Sequence, residues 1–305
     1  MNLQSSPEII GATLASGMYI KRSWSSKARV AFRAIFKVRG ALWGSIWVAV
    51  MISFAIFAPW LSPADPNVQD LDHLFASPSF QHPMGTDYLG RDLLSRMIYG
   101  CRIAMMVAFG AATLATIFGV ILGVTAGYSE GGKIDYALIL IFDVVRAFPQ
   151  IILAIAIIAV LGPSILNLIL ALAFTGFPFY GRLTRAQAMV VKESDYVKAA
   201  VSMGLKHHKI ILQHIIPNIL IPVIVCLGMD LPWYIIYEAG LSFLGLGVRP
   251  PTASWGIMLR DGYTYIDTSP WMILWPALAI ASAMLAFSFF SQGIKAALDP
   301  KKRER

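Results

Sequence analysis

The sequence predicts an all-α, polytopic integral membrane protein with six transmembrane helices, and three observations support this fold class. Hydrophobic residues make up 57% of the 305 residues and charged residues only 14%, well below the roughly 25% of a soluble domain. Six apolar runs are long enough to cross a bilayer of about 30 Å. Lys and Arg are concentrated in alternate loops between these runs, which is typical of membrane topology.

The apolar runs divide the chain into three regions. We expect a cytoplasmic N-terminal segment at residues 1–40 with a basic helix near residues 30–38, a transmembrane domain at residues 41–293, and a cytoplasmic tail at residues 294–305. The first run has 21 residues and lacks the short apolar core and cleavage site of a signal peptide, so we expect it to be retained. The six spans are predicted at residues 41–61, 103–126, 135–161, 165–181, 219–241 and 271–292.

The distribution of basic residues predicts the orientation of the spans. With the N-terminus inside, cytoplasmic segments hold 19 Lys and Arg, external segments hold five, and one, Arg146, lies within a span. The positive-inside rule therefore places both termini in the cytoplasm. Because these residues alternate with membrane spans and form no single stripe, the net charge of +8 indicates topology and not nucleic-acid binding.

The loops between the spans differ greatly in length. Residues 62–102 form a long external loop rich in Pro, Asp and His, whereas only residues 162–164 separate the third span from the fourth. The third and fourth spans must therefore form a tight antiparallel pair. Small residues recur at spacings of four along the second span, from Gly110 to Gly127, and this pattern predicts close packing against other helices.

A basic, moderately polar segment at residues 182–218 interrupts the apolar runs. It carries six Lys and Arg side chains, which cannot lie against lipid, so it must contact water or another protein. Either Ser194 or Asp195 can cap a short helix, the paired alanines that follow leave one face without bulk, and Gly204 provides a bend. The segment is predicted to form a small knob that another protein can approach closely.

The spacing of residues in this segment resembles a known motif. Two alanines, then Gly204, then Pro and Asn at 217–218 are similar to the coupling loop of ABC importer permeases, which has E-A-A, three residues, G, and later a hydrophobic residue before P-N. Lys198 stands where the motif has Glu. The resemblance implies that an ATPase subunit binds the loop through Tyr196, Lys198, Ala199, Ala200, Gly204, Pro217 and Asn218.

Three further stretches resemble the dipeptide, oligopeptide and nickel branch of this family, specifically its second (C-type) permease subunit. They lie at residues 82–100, 241–256 and 294–301, and the resemblance covers most of the chain from about Gly40 onward. It implies the type I ABC importer permease fold. It also implies a transport subunit, not an enzyme, that moves short peptides or related small solutes across the cytoplasmic (inner) membrane by alternating access.

The same resemblance implies the partners of the chain. These are a homologous second permease subunit, two ABC ATPase subunits and an extracytoplasmic solute-binding protein, with membrane lipid around the spans. The sequence has no G-x-x-x-x-G-K-S/T loop, so ATP and Mg²⁺ are expected in the ATPase subunits and no cofactor in this chain. The histidines at 207, 208 and 214 lack the spacing of a metal site, so no bound metal is expected.

Two other classes of function provide the alternatives. A membrane-embedded enzyme is disfavoured because the sequence has no H-E-x-x-H motif and no catalytic Ser/His set or Asp pair within the spans. An ion-coupled secondary carrier or a channel would act without ATPase subunits. Uptake by the purified chain alone would favour the carrier, whereas dependence on ATP and a binding protein would favour the importer.

Charged residues cluster near the entrance to the second span. Asp87, Arg91, Asp92 and Arg96 have the spacing of two ion pairs, Asp87 with Arg91 and Asp92 with Arg96, which would brace a short external helix. The alternative is that Asp87, Arg91 and Asp92 contact the solute-binding protein that the resemblance implies.

The third span carries two ionisable residues, Asp143 and Arg146, on one helical face. Ionisable groups within a membrane are costly and therefore indicate a functional site. One hypothesis is that Arg146 lines the translocation path and favours a substrate carboxylate; the alternatives are a structural pair with Asp143 and a contact with the partner permease. Pro149 follows shortly after, so a bend is expected there.

The fifth span carries Asp230 and Glu238, which are about two turns apart and are expected to share a face. The resemblance places this span along the pore, which makes both residues candidates for the translocation path, where they could favour a cationic substrate. The alternative is that these carboxyl groups form hydrogen bonds between helices.

Overall fold

The computed structural model describes residues 39–298, and this part of the chain is helical. A 3-10 turn at Leu71–His73 and a π-helical segment at Ile211–Ile215 accompany the α-helices. The predicted basic helix near residues 30–38 and the tail beyond residue 298 lie outside the described residues. The α-helices are α1 (Arg39–Leu61), α2 (Leu93–Tyr128), α3 (Lys133–Arg146), α4 (Gln150–Leu161), α5 (Ile165–Lys192), α6 (Asp195–Ser202), α7 (His207–Ile210), α8 (Ile216–Phe243), α9 (Trp255–Thr264) and α10 (Trp271–Leu298).

The predicted third span is a bent pair of helices, because α3 and α4 meet at an angle of 88°. Pro149 lies at the break and cannot donate a backbone hydrogen bond, which explains why the helix does not run straight through. The expected bend is thus confirmed. Counting the pair as one span gives six, since five other helical stretches can cross a membrane: Gly40–Leu61, Leu93–Tyr128, Ile165–Lys192, His207–Phe243 and Trp271–Lys295.

Several helices extend beyond the apolar runs that predicted them. Helix α2 begins at Leu93, ten residues before Ile103, and α5 continues to Lys192, eleven residues past Gly181. Hydropathy marks only the apolar part of a helix, whereas backbone hydrogen bonds continue into its polar ends. The predicted coupling loop at residues 182–218 is therefore mostly helical, and α5 and α7 are separated only by residues 193–206, which contain α6.

Helices α2 and α5 pack closely at the centre of the bundle. A Cβ atom added at Gly119 of α2 would lie 2.8 Å from the carbonyl oxygen of Phe177 in α5. One added at Gly127 would lie 2.5 Å from the carbonyl oxygen of Arg185, so glycine is required at both positions. Thr184 donates a hydrogen bond across the same contact, to the Gly119 carbonyl at 3.1 Å. The close packing predicted for the small residues of this span is confirmed.

The connections between helices lie at two ends of the bundle. One end, called the insert end, holds the segment at residues 62–92, called the insert, together with residues 244–270. Tyr265 of the second part packs against Phe75 and Tyr88 of the first, with ring centroids 5.2 Å apart in both pairs. The other end, called the α6 end, holds the turn at residues 129–132 and α6.

Candidate functional site

Helix α6 is a short, sharply bounded element at the α6 end. It begins after Ser194, whose hydroxyl donates to the Val191 carbonyl (2.6 Å) and makes no capping bond. It ends at Ser202, and Gly204, two residues later, adopts φ +77°. The Gly204 amide donates to Val201 (2.9 Å) and the Leu205 amide donates to Ala200 (3.1 Å), the paired bonds of a Schellman motif. Gly204 therefore forms the bend that its position in the sequence predicts.

One face of α6 is buried in a small hydrophobic cluster. Val197 belongs to this cluster and is almost fully buried, and Ala200 of the same helix is buried as well. The other members come from α2, α5, α7, the π-helical segment and α8: Val124, Ala188, Ile210, Ile215 and Ile219. The sequence suggested that Ala199 and Ala200 together leave one face of α6 open. They do not share a face, because consecutive helical residues point about 100° apart. Only Ala199 is exposed.

The opposite face of α6 exposes apolar side chains beside a basic one. Tyr196, Val201 and Met203 are exposed, and Met203 is 73% accessible. Lys198 forms an ion pair with Glu193 (3.0 Å), and this hydrogen bond lowers the pKa of Glu193. A Cβ atom added at Gly204 would meet nothing within 4 Å. Large exposed apolar side chains outside the spans make α6 a candidate for binding another protein.

Pro217 and Asn218 lie where the π-helical segment joins α8. The Asn218 side chain donates to the His214 carbonyl at 2.6 Å, so it stabilises the junction. A contact that sequence reasoning missed lies nearby: the Tyr128 hydroxyl at the end of α2 is 2.5 Å from His207 Nδ1 in α7. These two residues are 79 positions apart, and no local pattern in the sequence indicates the pair.

A cavity of about 340 Å³ lies at the break between α3 and α4, where α5 and α8 complete its walls. Its lining combines charged, amide, hydroxyl and aromatic side chains. Four of the lining residues, at positions 230, 233, 234 and 237, occupy one face of α8. Their spacing of three and four is that of a helical face, so the sequence could have indicated that they lie together. The lining residues are Val145, Arg146, Phe148, Gln150, Thr175, Gly176, Phe179, Asp230, Trp233, Tyr234 and Tyr237.

Two of the four candidate path residues, Arg146 and Asp230, line this cavity. Asp230 Oδ2 accepts a hydrogen bond from the Tyr180 hydroxyl (2.8 Å). Asp143 lies outside the cavity and is paired with Arg182 of α5, so the suggested pair with Arg146 is wrong. Asp143 instead faces α5, whereas Arg146 occupies the last turn of α3, where the chain turns toward α4.

Glu238 does not line the cavity. It is fully buried, and its Oε1 accepts a hydrogen bond from the Ser242 hydroxyl at 2.8 Å. Its other oxygen, Oε2, has no hydrogen-bond partner within residues 39–298. Eight residues advance a helix by about 80° beyond two full turns, so Glu238 is rotated away from the face of Asp230. The expectation that the two acids share a face is therefore wrong.

Four charged residues where the segment at residues 62–92 joins α2 form a buried network. Asp87 Oδ2 accepts from Arg91 Nε at 2.7 Å, as predicted, and lies 3.4 Å from Arg96 Nε. The predicted pair of Asp92 with Arg96 is wrong, because Asp92 caps α2 by accepting from the Ser95 amide (2.8 Å) and contacts His82 (3.1 Å). All four charged side chains of the predicted pairs are nearly inaccessible, so they brace the insert and offer no surface to a binding protein.

Comparison with known proteins identifies the family. Residues 116–304 match the family described as binding-protein-dependent transport system inner membrane component. Residues 26–83 match the N-terminal transmembrane domain of oligopeptide transport permease C.

Several curated proteins are similar over nearly the whole chain. A dipeptide transport system permease protein, DppC, of Alkalihalophilus pseudofirmus is 40% identical over 90% of both chains. A di/tripeptide transport system permease protein of Pseudomonas aeruginosa is 37% identical over 86% of this chain and 88% of its own length. A glutathione transport system permease protein, GsiD, of Escherichia coli is 40% identical over 86% of both chains.

Two solved structures share the fold at low sequence identity. The MetNI methionine ABC transporter matches with a TM-score of 0.53 and 18% identity, over 67% of this chain and 97% of its own. An amino acid ABC transporter matches with a TM-score of 0.50 and 19% identity, over 66% and 92%. The chain therefore belongs to the family of binding-protein-dependent ABC importer permeases: it is a multi-pass inner-membrane transport subunit of the C type, not an enzyme.

Proposed function

We propose that this permease forms half of a heterodimeric pathway that imports short peptides or related small solutes by alternating access. Two ABC ATPase subunits drive it, and an extracytoplasmic solute-binding protein delivers the solute. Three relatives support this solute class, because they are named as permeases for dipeptides, di/tripeptides and glutathione. Both termini are cytoplasmic, and the α6 end faces the ATPases, as the distribution of Lys and Arg favours.

The observation that carries the proposal is the way α6 is attached to the bundle. Its buried residue Val197 packs in the same small cluster as Val124 of α2, Ala188 of α5 and Ile219 of α8. Close-packed side chains resist compression and transmit displacement. A movement of α6 therefore moves three long helices together, while its exposed face remains free to bind an ATPase subunit.

Nucleotide chemistry belongs to the partner subunits in this proposal. The sequence of the permease contains no phosphate-binding loop of the G-x-x-x-x-G-K-S/T type. ATP and Mg²⁺ would bind to the ATPases, and closure of the ATPase pair would push α6. Rocking of the attached helices would then exchange inward and outward access.

The experiment is subunit omission in proteoliposomes. The permease is reconstituted with its partner permease and both ATPases, and the binding protein is added on the opposite side of the membrane from the ATPases. ATP is supplied on the ATPase side, and uptake of a radiolabelled dipeptide is measured. Uptake should require every component and should stop when the ATPases are left out. Uptake by the permeases alone, driven by an ion gradient, would favour a secondary carrier and would contradict the proposal.

A further inference from the structure

The cavity between α3, α4, α5 and α8 contains one basic and one acidic side chain that the described residues leave partly unsatisfied. Within residues 39–298, Arg146 forms no ion pair. The acid three residues before it, Asp143, is paired with Arg182 instead. Asp230 accepts one hydrogen bond, from the Tyr180 hydroxyl to its Oδ2. Its other oxygen has no donor in the same part of the chain.

Charges within a membrane helix are costly unless a partner or water neutralises them. Arg146 and Asp230 line the same cavity from different helices, α3 and α8. A guanidinium can bind a carboxylate through two parallel hydrogen bonds, and a carboxylate can accept from an ammonium group. A ligand that carries both groups would satisfy both walls of the cavity at once.

The remaining lining suits the middle of such a ligand. Trp233, Tyr234 and Tyr237 provide aromatic surface beside Asp230, where an ammonium group would also gain cation–π attraction. Gln150 and Thr175 offer hydrogen-bonding groups that could reach an amide. The volume, about 340 Å³, falls in the range of pockets that hold small organic ligands.

We propose that this cavity selects zwitterionic solutes, with Arg146 binding the free carboxylate and Asp230 binding the free ammonium group. The permease then adds its own charge filter to whatever selection the binding protein makes. A solute that lacks one charge leaves Arg146 or Asp230 without an opposite charge inside the membrane, which weakens its binding by about tenfold or more. This inference rests on the proposed import function and specifies which solutes the membrane chain itself accepts.

Equilibrium binding to the whole complex in nanodiscs, without binding protein or nucleotide, tests the inference. The ligands are alanyl-alanine, its C-terminal amide and its N-acetyl derivative. Wild-type complex should bind the dipeptide about tenfold or more tightly than either blocked form. Arg146→Leu should remove the discrimination against the amide, and Asp230→Asn should remove the discrimination against the acetylated form. Arg146→Lys, which keeps the charge, should preserve part of it.

The control variant is Arg102→Leu, which removes an exposed Arg of α2 that does not line the cavity. It should bind all three compounds like the wild type. Equal affinity of the wild-type complex for the three compounds, or no binding of the dipeptide, would overturn the inference. So would an assembled Arg146→Leu complex that keeps the wild-type discrimination between the dipeptide and its amide. ATP-dependent uptake by the wild type, measured in parallel, separates these outcomes from failure of the proposed import function.

Discussion

Asp87 is the residue on which the insert at residues 62–92 most depends. Its carboxylate lies between two buried guanidinium groups, those of Arg91 and Arg96. Arg96 is also tied to the Pro66 carbonyl at 3.1 Å, so the network joins the start of the insert to the start of α2. Removing the one acid would leave two buried positive charges without their counter-charge.

We therefore predict that Asp87→Asn destabilises the permease by about 3–5 kcal/mol, the cost of breaking a buried ion pair on one side. The measurement is the free energy of unfolding of the purified permease in detergent. Asp72→Asn provides the matched control, because Asp72 is exposed on the same insert and forms no ion pair among the described residues. Its effect should stay within about 0.5 kcal/mol. Equal effects of the two substitutions would show that the network contributes nothing.

Helix α6 has a buried face and an exposed face, called the docking face, that we propose binds an ATPase subunit, and two adjacent alanines lie on these two faces. Ala200 is buried, as is Val197, whereas Ala199 is exposed. The same substitution at the two positions therefore tests opposite sides of one short helix.

Ala200→Leu should destabilise the permease by about 1–3 kcal/mol, because the larger side chain overpacks a position that is already buried. Ala199→Leu should change stability by less than about 0.5 kcal/mol yet reduce the amount of ATPase that co-purifies with the permease. Thermal unfolding of the permease and the ATPase content of the complex are measured for both variants. The assignment of faces is incorrect if Ala199→Leu is the more destabilising of the two.

Local patterns predicted the elements better than their contacts. The bend at Pro149 and the turn at Gly204 follow from backbone chemistry that a single residue imposes, so both could be predicted from the sequence. The partner of Asp143 could not, because Arg182 lies on another helix and only the packing of α3 against α5 brings them together. Long-range geometry also decided that Arg146, and not Glu238, lines the cavity.

At the scale of the whole molecule, the small cluster that holds α6 and the charged cavity share two long helices. The small cluster at the α6 end joins α6 to α2, α5 and α8, and α5 and α8 also form walls of the charged cavity. Displacement of α6 can therefore reach the cavity through helices that belong to both sites. The break between α3 and α4 gives the wall that carries Arg146 a natural place to bend.

The central claim, that force enters through α6, is tested most directly by comparing two glycines. Gly204 and Gly131 both lie at the α6 end with positive φ (+77° and +72°), and a Cβ atom at either meets nothing within 4 Å. Leucine at either position therefore carries a similar backbone cost of about 1–2 kcal/mol. Of these two glycines, only Gly204 follows α6 directly and borders the face that we propose binds the ATPase.

The measurement is ATP hydrolysis and ATP-dependent uptake by complexes that carry Gly204→Leu or Gly131→Leu in proteoliposomes. We predict that the Gly204→Leu complex assembles and hydrolyses ATP while uptake falls by about tenfold or more, as when a central interface contact is lost. The Gly131→Leu complex should transport like the wild type. Normal uptake by the Gly204→Leu complex, or an equal loss in both variants, would contradict the account.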